Sequence, residues 1–175
     1  FDNVAVVGII NADTLLNYPD FRATERAFQL MAQVAGRAGR KNGQGKVILQ
    51  TKMPDAPVIP HIVSNDYAQF YNTQLGERML FHYPPFYRLV YIYAKHCDAK
   101  VLEEFSELLA VQLRTIFQER IMGPDLPPVA RVKQQYIRKI MLKVENSLSQ
   151  YKVNEVLAAT QQAFAQMAKY RSVDI

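Results

Sequence analysis

Two arginines, Arg37 and Arg40, stand three residues apart in the stretch QVAGRAGR (33–40), each directly after a glycine. A guanidinium is a planar fork of donors that meets two phosphate oxygens at once and keeps its charge at physiological pH. Arginines three apart on a helix point to the same side. Gly36 and Gly39 place no Cβ in the way of a polyphosphate approaching the backbone. Two forks on one side could hold a terminal phosphate and offset the charge that develops as it leaves. In NTPases an arginine placed this way is worth ~10³–10⁵ in rate. The same residues also read as a basic turn that ends a helix, and composition alone favours that plainer reading.

A second group of candidates lies far along the chain. Arg131, Lys133, Arg138, Lys139 and Lys143 surround Tyr136 in PPVARVKQQYIRKIMLK. In a strand, Arg138 shares a face with Tyr136, and Lys139 and Lys143 share the opposite one. A surface that tracks phosphates with an aromatic ring beside it suits structure-specific DNA binding; the alternative is a solvated, charged strand face. The net charge of +5 is unevenly spread. Residues 1–53 carry seven Lys/Arg against four Asp/Glu, residues 54–120 six against eight, and residues 121–152 six against two. Two basic zones separated by an acidic one point to a polyanion that touches two surfaces.

The elements that must position these residues follow from periodicity. NVAVVGII is a β-branched apolar run and reads as a strand buried on both faces. A chain that starts inside such a strand is expected to be part of a longer one. NADTLLNYPD is turn-rich, and Pro19 and Asp20 signal a helix start. FRATERAFQLMAQVAGRAGR then runs helically, with Phe21, Glu25, Phe28, Ala32 and Ala35 on one stripe and Thr24 and Met31 beside it. Gly36 or Gly39 is a natural end. KVILQT reads as a second strand, so residues 1–52 form a βαβ unit with a parallel sheet. KMPDAPVIP is a Pro-rich connector, a helix is expected over 61–81, and HYPPF breaks the chain again. YRLVYIYAK (87–95) is a strand. Asp98 is the expected N-cap of a helix over about 99–119, with Val101, Phe105, Leu108, Leu109, Gln112 and Ile116 inward and Lys100, Glu103, Glu104 and Glu107 mostly outward. IMGPDLPPVARVK is an edge or irregular strand because of its prolines. YIRKIMLKVE (136–145) is a strand. A helix over about 151–169 turns Val153, Val156, Leu157, Thr160, Phe164 and Met167 inward, and RSVDI opens a last strand. The order βαββαβ is that of a ferredoxin-like α+β domain.

The totals narrow the classes. The chain has 175 residues, 49% hydrophobic and 21% charged, enough for a real core. No apolar run approaches the ~20 residues a membrane helix needs, and FDNVAVVGII lacks the features of a signal peptide. The single cysteine, Cys97, excludes an internal disulfide and a cysteine-built zinc site within the chain, and fits a reducing cytoplasm. His61, His82 and His96 are scattered without ligand spacing.

The whole of NADTLLNYPDFRATERAFQLMAQVAGRAGR resembles the sixth conserved motif of superfamily 2 helicases, Q-x-x-G-R-x-x-R, carried here by Gln33, Gly36, Arg37 and Arg40. DFRATERAFQL, TKMPDAPVI, YPPFYRLVYI and GPDLPPVARVKQQYIRKIMLK are all similar to stretches of the primosomal protein N′ family of replication-restart helicases, and the resemblance covers essentially the whole chain. It implies a 3′-to-5′ DNA helicase driven by ATP, acting at stalled replication forks in primosome assembly. It implies that residues 1–53 end the second of two RecA-like lobes, that 54–85 are a connector with a helix, and that 86–175 are the family's C-terminal domain. On this resemblance Arg40 is the arginine finger and Arg37 faces a phosphate. Gln33 positions ATP or its attacking water, and Gly36 and Gly39 line the nucleotide. Magnesium and most ATP contacts would come from the first lobe, since no phosphate loop or Asp-Glu box stands in this chain. The family's zinc would lie on cysteines that are not in it. The implied partners are branched or forked DNA, the single-strand DNA-binding protein and other primosome proteins, with no membrane, in the cytoplasm. The rivals are another superfamily 2 repair helicase and a non-catalytic nucleic-acid-binding module; the latter leaves QVAGRAGR without a purpose.

Overall fold

The computed structural model describes residues 4–38 and 45–175. They form two compact units, Phe1–Glu77 and Arg78–Ile175, each mixing helices with a small sheet. In the first, β1 (Val6–Ile9) leads through the short α1 (Asp13–Leu16) and the longer α2 (Ala23–Ala35) to β2 (Lys46–Leu49). The strands pair in parallel, Val6 opposite Lys46 and Ile9 opposite Leu49. Parallel strands need a crossover of this kind, so the expected strand–helix–strand unit is present, with an extra helical turn in the turn-rich segment.

Two details differ from the sequence pattern. The β1 run is not buried on both faces: Val6 is 55% exposed and Ile48 on β2 is 53% exposed. A two-stranded ribbon has only part of one face under α2, so its β-branched side chains lack a second layer among the described residues. The buried side of α2 is also rotated from the expected stripe. Ala23, Ala27, Phe28 and Met31 are buried, while Glu25 is only partly buried and meets Arg22 Nε at 3.3 Å. A carboxylate is costly to bury unless it is paired; Phe28 faces inward as expected, and Ala23, Ala27 and Met31 join it in place of Phe21, Ala32 and Ala35, which are only partly buried. Met31 packs with Ala12 and Ala27 against Ile9 and Leu49. Phe28 stacks on Phe70 at 4.3 Å. Each such side chain contributes about 1.5–3 kcal/mol by leaving water.

The helix expected over 61–81 is two helices, α3 (Val58–Ser64) and α4 (Tyr67–Leu80). Asn65 separates them in the left-handed region, at φ 52°, a conformation asparagine tolerates as a helix terminator. Asp66 then accepts from the Gln69 amide at 2.9 Å and restarts the chain as a helix.

In the second unit the order is β3 (Tyr87–His96), α5 (Ala99–Phe117), a 3₁₀ turn, β4 (Ile121–Asp125), β5 (Arg131–Val132), β6 (Gln135–Glu145) and α6 (Gln150–Ala165). β6 is central and every pairing is antiparallel. β3 lies along one side of it, from Tyr87 opposite Glu145 to His96 opposite Tyr136. β4 and β5 share the other side. The final segment meets the outer edge of β3 through one antiparallel bridge, Lys95 to Asp174. The segment 121–132 is irregular, as its prolines require. Gly123 sits at φ 93°, and a Cβ there would lie 2.9 Å from the Lys139 carbonyl oxygen, so the register shift between Met122 and Asp125 needs a glycine.

Both helices cover one face of this sheet. Ala94, Ile140, Leu142 and Val144 meet Leu102, Phe105, Leu109, Leu113, Val153 and Phe164 in one core. Asp98 caps α5 as expected, accepting from the Lys100 and Val101 amides at 2.8 and 3.3 Å. The inward stripe of α5 differs: Leu102, Phe105, Ser106, Leu109, Ala110, Leu113 and Phe117 are buried, whereas Leu108 and Ile116 are 44% and 46% exposed. Glu104 is exposed, as expected, and there accepts from Lys169 and from the Tyr170 hydroxyl, at 2.5 and 2.9 Å. α6 ends at Ala165, four residues early, and Met167 is 46% exposed. Tyr170 takes the inward place expected for Met167, its ring edge-on to Phe105 at 5.5 Å.

Candidate nucleic-acid interface

In the first unit, Gln33, Gly36 and Arg37 occupy the last turn of α2 and the turn after it, all exposed. Gln33 and Arg37 are four residues apart and share a side of the helix. Gly39 and Arg40 lie outside the described residues. The backbone here is already engaged: the Gly36 amide donates to Ala32 O at 3.0 Å, Arg37 to Val34 O and Ala38 to Ala35 O, both at 3.1 Å. A helix C-terminus presents carbonyls and carries the negative end of the dipole. An anion at this turn must therefore be held by side chains. Gly36 adopts ordinary helical angles at φ −64°, and a Cβ there would meet nothing closer than 3.5 Å. The expected role for Gly36, baring the backbone to phosphate, has no support in this geometry. Arg37 and Gln33 are exposed at this turn, and a guanidinium fork and an amide are donors of the kind a phosphate takes.

Beside the strand ends, Asp13 joins the ends of β1 and β2. It accepts from Thr51 Oγ1 at 2.5 Å and from the Lys52 amide at 3.0 Å. The Thr51 hydroxyl first, and then the Lys52 amide, hold its carboxyl below the usual range. Because the folded value is the lower one, this contribution is complete above the unfolded carboxyl value of about 4 and fades as pH falls through the folded one. The Lys52 amide is expected to lose hydrogen-exchange protection on acidification below about pH 4. In Asp13→Ala the protection should be low and independent of pH over that range. Unchanged wild-type protection at acid pH would remove the role.

In the second unit, β6 separates the basic residues by alternation. Arg138 points to the helix-covered side and pairs with Glu103 of α5 at 3.4 Å. Tyr136, on that same side, packs against the core, with the Arg131 guanidinium 4.8 Å from its ring centre. Lys133 and Gln134 are the two-residue tip joining β5 to β6, at φ 47° and 65°, positions where Asn-Gly is preferred. Lys139 and Lys143 stand on the other side of the sheet. Lys143 is held there: its Nζ donates to Phe81 O at 2.7 Å and lies 4.1 Å from the Tyr83 ring centre. Burial lowers its pKa. Lys139 lies 5.5 Å from the ring centre of Tyr91. The six residues therefore do not form one patch. Lys139 is on the open sheet face, Arg131 and Lys133 mark the hairpin end, and Arg138 and Lys143 are committed to contacts within the unit.

Sequence reasoning passed over Tyr91 and Tyr93, which read as part of a core strand. Both are 43% exposed. The signal was present in the alternation of YRLVYIYAK: Val90, Ile92 and Ala94 go inward, which forces Tyr91 and Tyr93 outward. A second basic group, Arg120, grips Glu145 through Nε at 2.8 Å and Nη2 at 2.7 Å, and the Arg120 hydrogen bond lowers the Glu145 pKa. Among the described residues no helix is long and apolar enough to cross a membrane, and no three His, Cys, Asp or Glu side chains are grouped to hold a metal ion.

Comparison with known proteins agrees with the resemblance in the sequence. Residues 79–175 match the model of the primosomal protein N C-terminal domain. The chain is 37% identical to the replication restart protein PriA of Bacillus subtilis (strain 168) over 145 residues, which is 82% of this chain and 18% of that protein. It is 42% identical to the protein of the same name from Chlamydia pneumoniae over 150 residues, 82% of this chain and 19% of that one. With the Synechocystis protein it shares 33% identity over 142 residues, 80% of this chain and 17% of the other. The chain thus spans under a fifth of each of these three relatives. The domain match over more than half of the chain places this protein in the primosomal protein N (PriA) family.

Proposed function

We propose that this chain is part of an ATP-driven 3′-to-5′ DNA helicase that restarts stalled replication forks. Its first unit supplies arginines to the nucleotide site and its second unit binds DNA. The observation that carries the proposal is the meeting of two features in one chain. One is the family match over residues 79–175; the other is the exposed Gln33 and Arg37 on the last turn of α2, in the spacing of a helicase motif. The relatives are named replication restart proteins, which favours a role in primosome assembly over another superfamily 2 repair activity.

In this reading residues 1–53 end a RecA-like lobe, 54–85 connect, and 86–175 are a ferredoxin-like domain. The parallel β1–β2 pair supports the first assignment. The sheet order of Asp174 segment, β3, β6, β4 supports the last, because it is the order that a βαββαβ chain takes in that fold. Arg37 and Arg40 act as phosphate-holding side chains, with Arg40 as the arginine finger and Gln33 as a positioning group. ATP supplies the driving hydrolysis. The chain's own residues hold charge in place as the terminal phosphate leaves, and Mg²⁺ and the phosphate loop belong to the other lobe. Zinc, where the family uses it, is held outside this chain. The partners are forked DNA, the single-strand DNA-binding protein and other primosome proteins, in the cytoplasm.

The test uses the full-length protein, a forked duplex, ATP and Mg²⁺. Strand separation with 3′-to-5′ polarity is expected. Separation with the opposite polarity, or none, would sink the motor reading.

A further inference from the structure

The hairpin between β5 and β6 is closed by Lys133 and Gln134, both in the left-handed region, at φ 47° and 65°. A two-residue turn with positive φ at both positions is met at least cost by Asn-Gly. Two long side chains add nothing to such a turn, and each Cβ is strained there. Strained residues of this kind cluster where the side chains themselves are used. The tip also stands clear of the sheet. Arg131, Val132, Lys133, Gln134 and Gln135 are consecutive and all exposed, and β3 pairs along β6 only as far as Tyr136. The Arg131 guanidinium lies 4.8 Å from the Tyr136 ring centre, a contact with the ring face that leaves its N–H donors unspent. Among the described residues, no hydrogen bond or ion pair ties down the Lys133 or Gln134 side chain.

We infer that this hairpin tip seats against duplex DNA, with Arg131 and Lys133 on phosphates and Gln134 at the groove edge. The inference rests on the DNA-binding reading above and narrows it to one surface and one form of DNA. Charge selects a polyanion. No Asp or Glu stands between Asp125 and Glu145. Within that run Arg138 is already paired with Glu103, and Lys143 is fastened to Phe81 and Tyr83, so the charge at the tip is that of Arg131 and Lys133 alone. The side-chain types select a duplex. Single strands are held on aromatic faces that stack with bases, and the one ring at this hairpin, Tyr136, packs against the core. What the tip offers is a guanidinium, an ammonium and amides. Those groups meet phosphate oxygens and the edges of paired bases.

The experiment follows binding of a fluorescein-labelled 20-base-pair duplex to the full chain by anisotropy over a range of salt, with a labelled forked duplex and dT20 as comparisons. Lys133→Ala and Arg131→Ala are each expected to lower the slope of log affinity against log salt by about one. Lys133→Arg, which keeps the charge, should keep the slope. Lys152→Ala, on α6, removes a charge away from the hairpin and should leave it unaltered. The double variant Lys133→Asn with Gln134→Gly should weaken duplex binding as Lys133→Ala does, and yet raise the midpoint of thermal unfolding by roughly 4–8 °C. Weaker binding in a more stable protein is not a folding defect. If that variant keeps the wild-type affinity, or if Lys133→Ala and Arg131→Ala keep the wild-type slope, the hairpin is overturned while DNA binding stands. A slope lowered as much by Lys152→Ala, or a midpoint that falls in the double variant, overturns it too. Wild type that prefers dT20, or binds the fork and not the plain duplex, overturns the assignment to duplex DNA. If wild type binds none of the three, the DNA-binding reading fails, and the hairpin with it.

Discussion

Arg40→Ala in the full-length protein is expected to lower DNA-stimulated ATP hydrolysis by roughly two decades or more, and to leave forked-DNA binding intact. An arginine finger is worth ~10³–10⁵ in rate because its charge meets the phosphoryl oxygens most strongly at the transition state. Two decades correspond to about 2.7 kcal/mol of lost transition-state stabilisation. The geometry of the preceding turn sharpens this expectation. The amides of residues 36–38 are consumed by helix-ending hydrogen bonds, so at these three residues a phosphate meets side chains, and the electrostatic task there falls on the guanidinium group. Arg37→Ala should then also lower hydrolysis, and Gly36→Ala should lower it little, because a Cβ at that position has room. The competing account treats the arginines as cations stabilising the C-terminal end of α2, an effect of about 0.3–1 kcal/mol on the helix and none on the chemistry. Measuring hydrolysis and binding on the same preparations separates the two. Hydrolysis that survives Arg40→Ala unchanged leaves only the helix-end account.

Where the sequence and the structure part, the reason is physical. Strand and cap assignments rest on local signals and survive. Asp98 is a capping residue whose carboxylate needs only the next three residues to act, and β6 is identified by its own alternation. Helix faces rest on longer-range balance. On α2, Glu25 and Phe28 share the expected stripe, but only Phe28 is fully buried, and the Glu25 carboxylate stays at the edge, paired with Arg22. On α6, Met167 fits the periodic pattern, but the helix ends at Ala165. The inward position passes to Tyr170, whose hydroxyl can reach Glu104. The candidate site divides in the same way. The spacing of Gln33, Gly36 and Arg37 puts them on one turn, as helical geometry requires. The basic run around Tyr136 looks like one surface in sequence and is three in space. Strand alternation sends Arg138 and Lys139 to opposite faces, and the contacts of Lys143 with Phe81 and Tyr83 come from a segment some sixty residues away. The same alternation was available for Tyr91 and Tyr93, and was obscured by the high aromatic content of their strand.

Leu113→Ala is expected to destabilise the second unit strongly, and Ile116→Ala, three residues later on the same helix, is not. The two substitutions decide which stripe of α5 faces the sheet. The spacing Val101, Phe105, Leu108, Leu109, Gln112, Ile116 is as regular as the buried one and carries comparable apolar bulk, so periodicity alone cannot choose between them. The structure buries Leu113 completely and leaves Ile116 46% exposed. Around Leu113 stand Leu109, Ala110, Phe117 and the inward residues of β6, close-packed groups that cannot collapse onto a missing side chain without breaking strand register. Leu→Ala at such a site costs about 2–5 kcal/mol, out of a typical domain stability of about 5–15 kcal/mol. In a domain of this size each kcal/mol moves the midpoint by about 4–8 °C, so a fall of roughly 8–40 °C is expected for Leu113→Ala. Ile116→Ala removes a side chain that already meets water and should stay within about 0.5 kcal/mol. Thermal melts followed by near-ultraviolet circular dichroism report this unit well, because it holds most of the chain's ten tyrosines. If the two variants melt together, or Ile116→Ala is the weaker protein, α5 lies on its other stripe. The face now covered by Ala94, Ile140 and Leu142 would then be packed differently, and the outward placement of Tyr91, Tyr93 and Lys139 would have to be rebuilt with it.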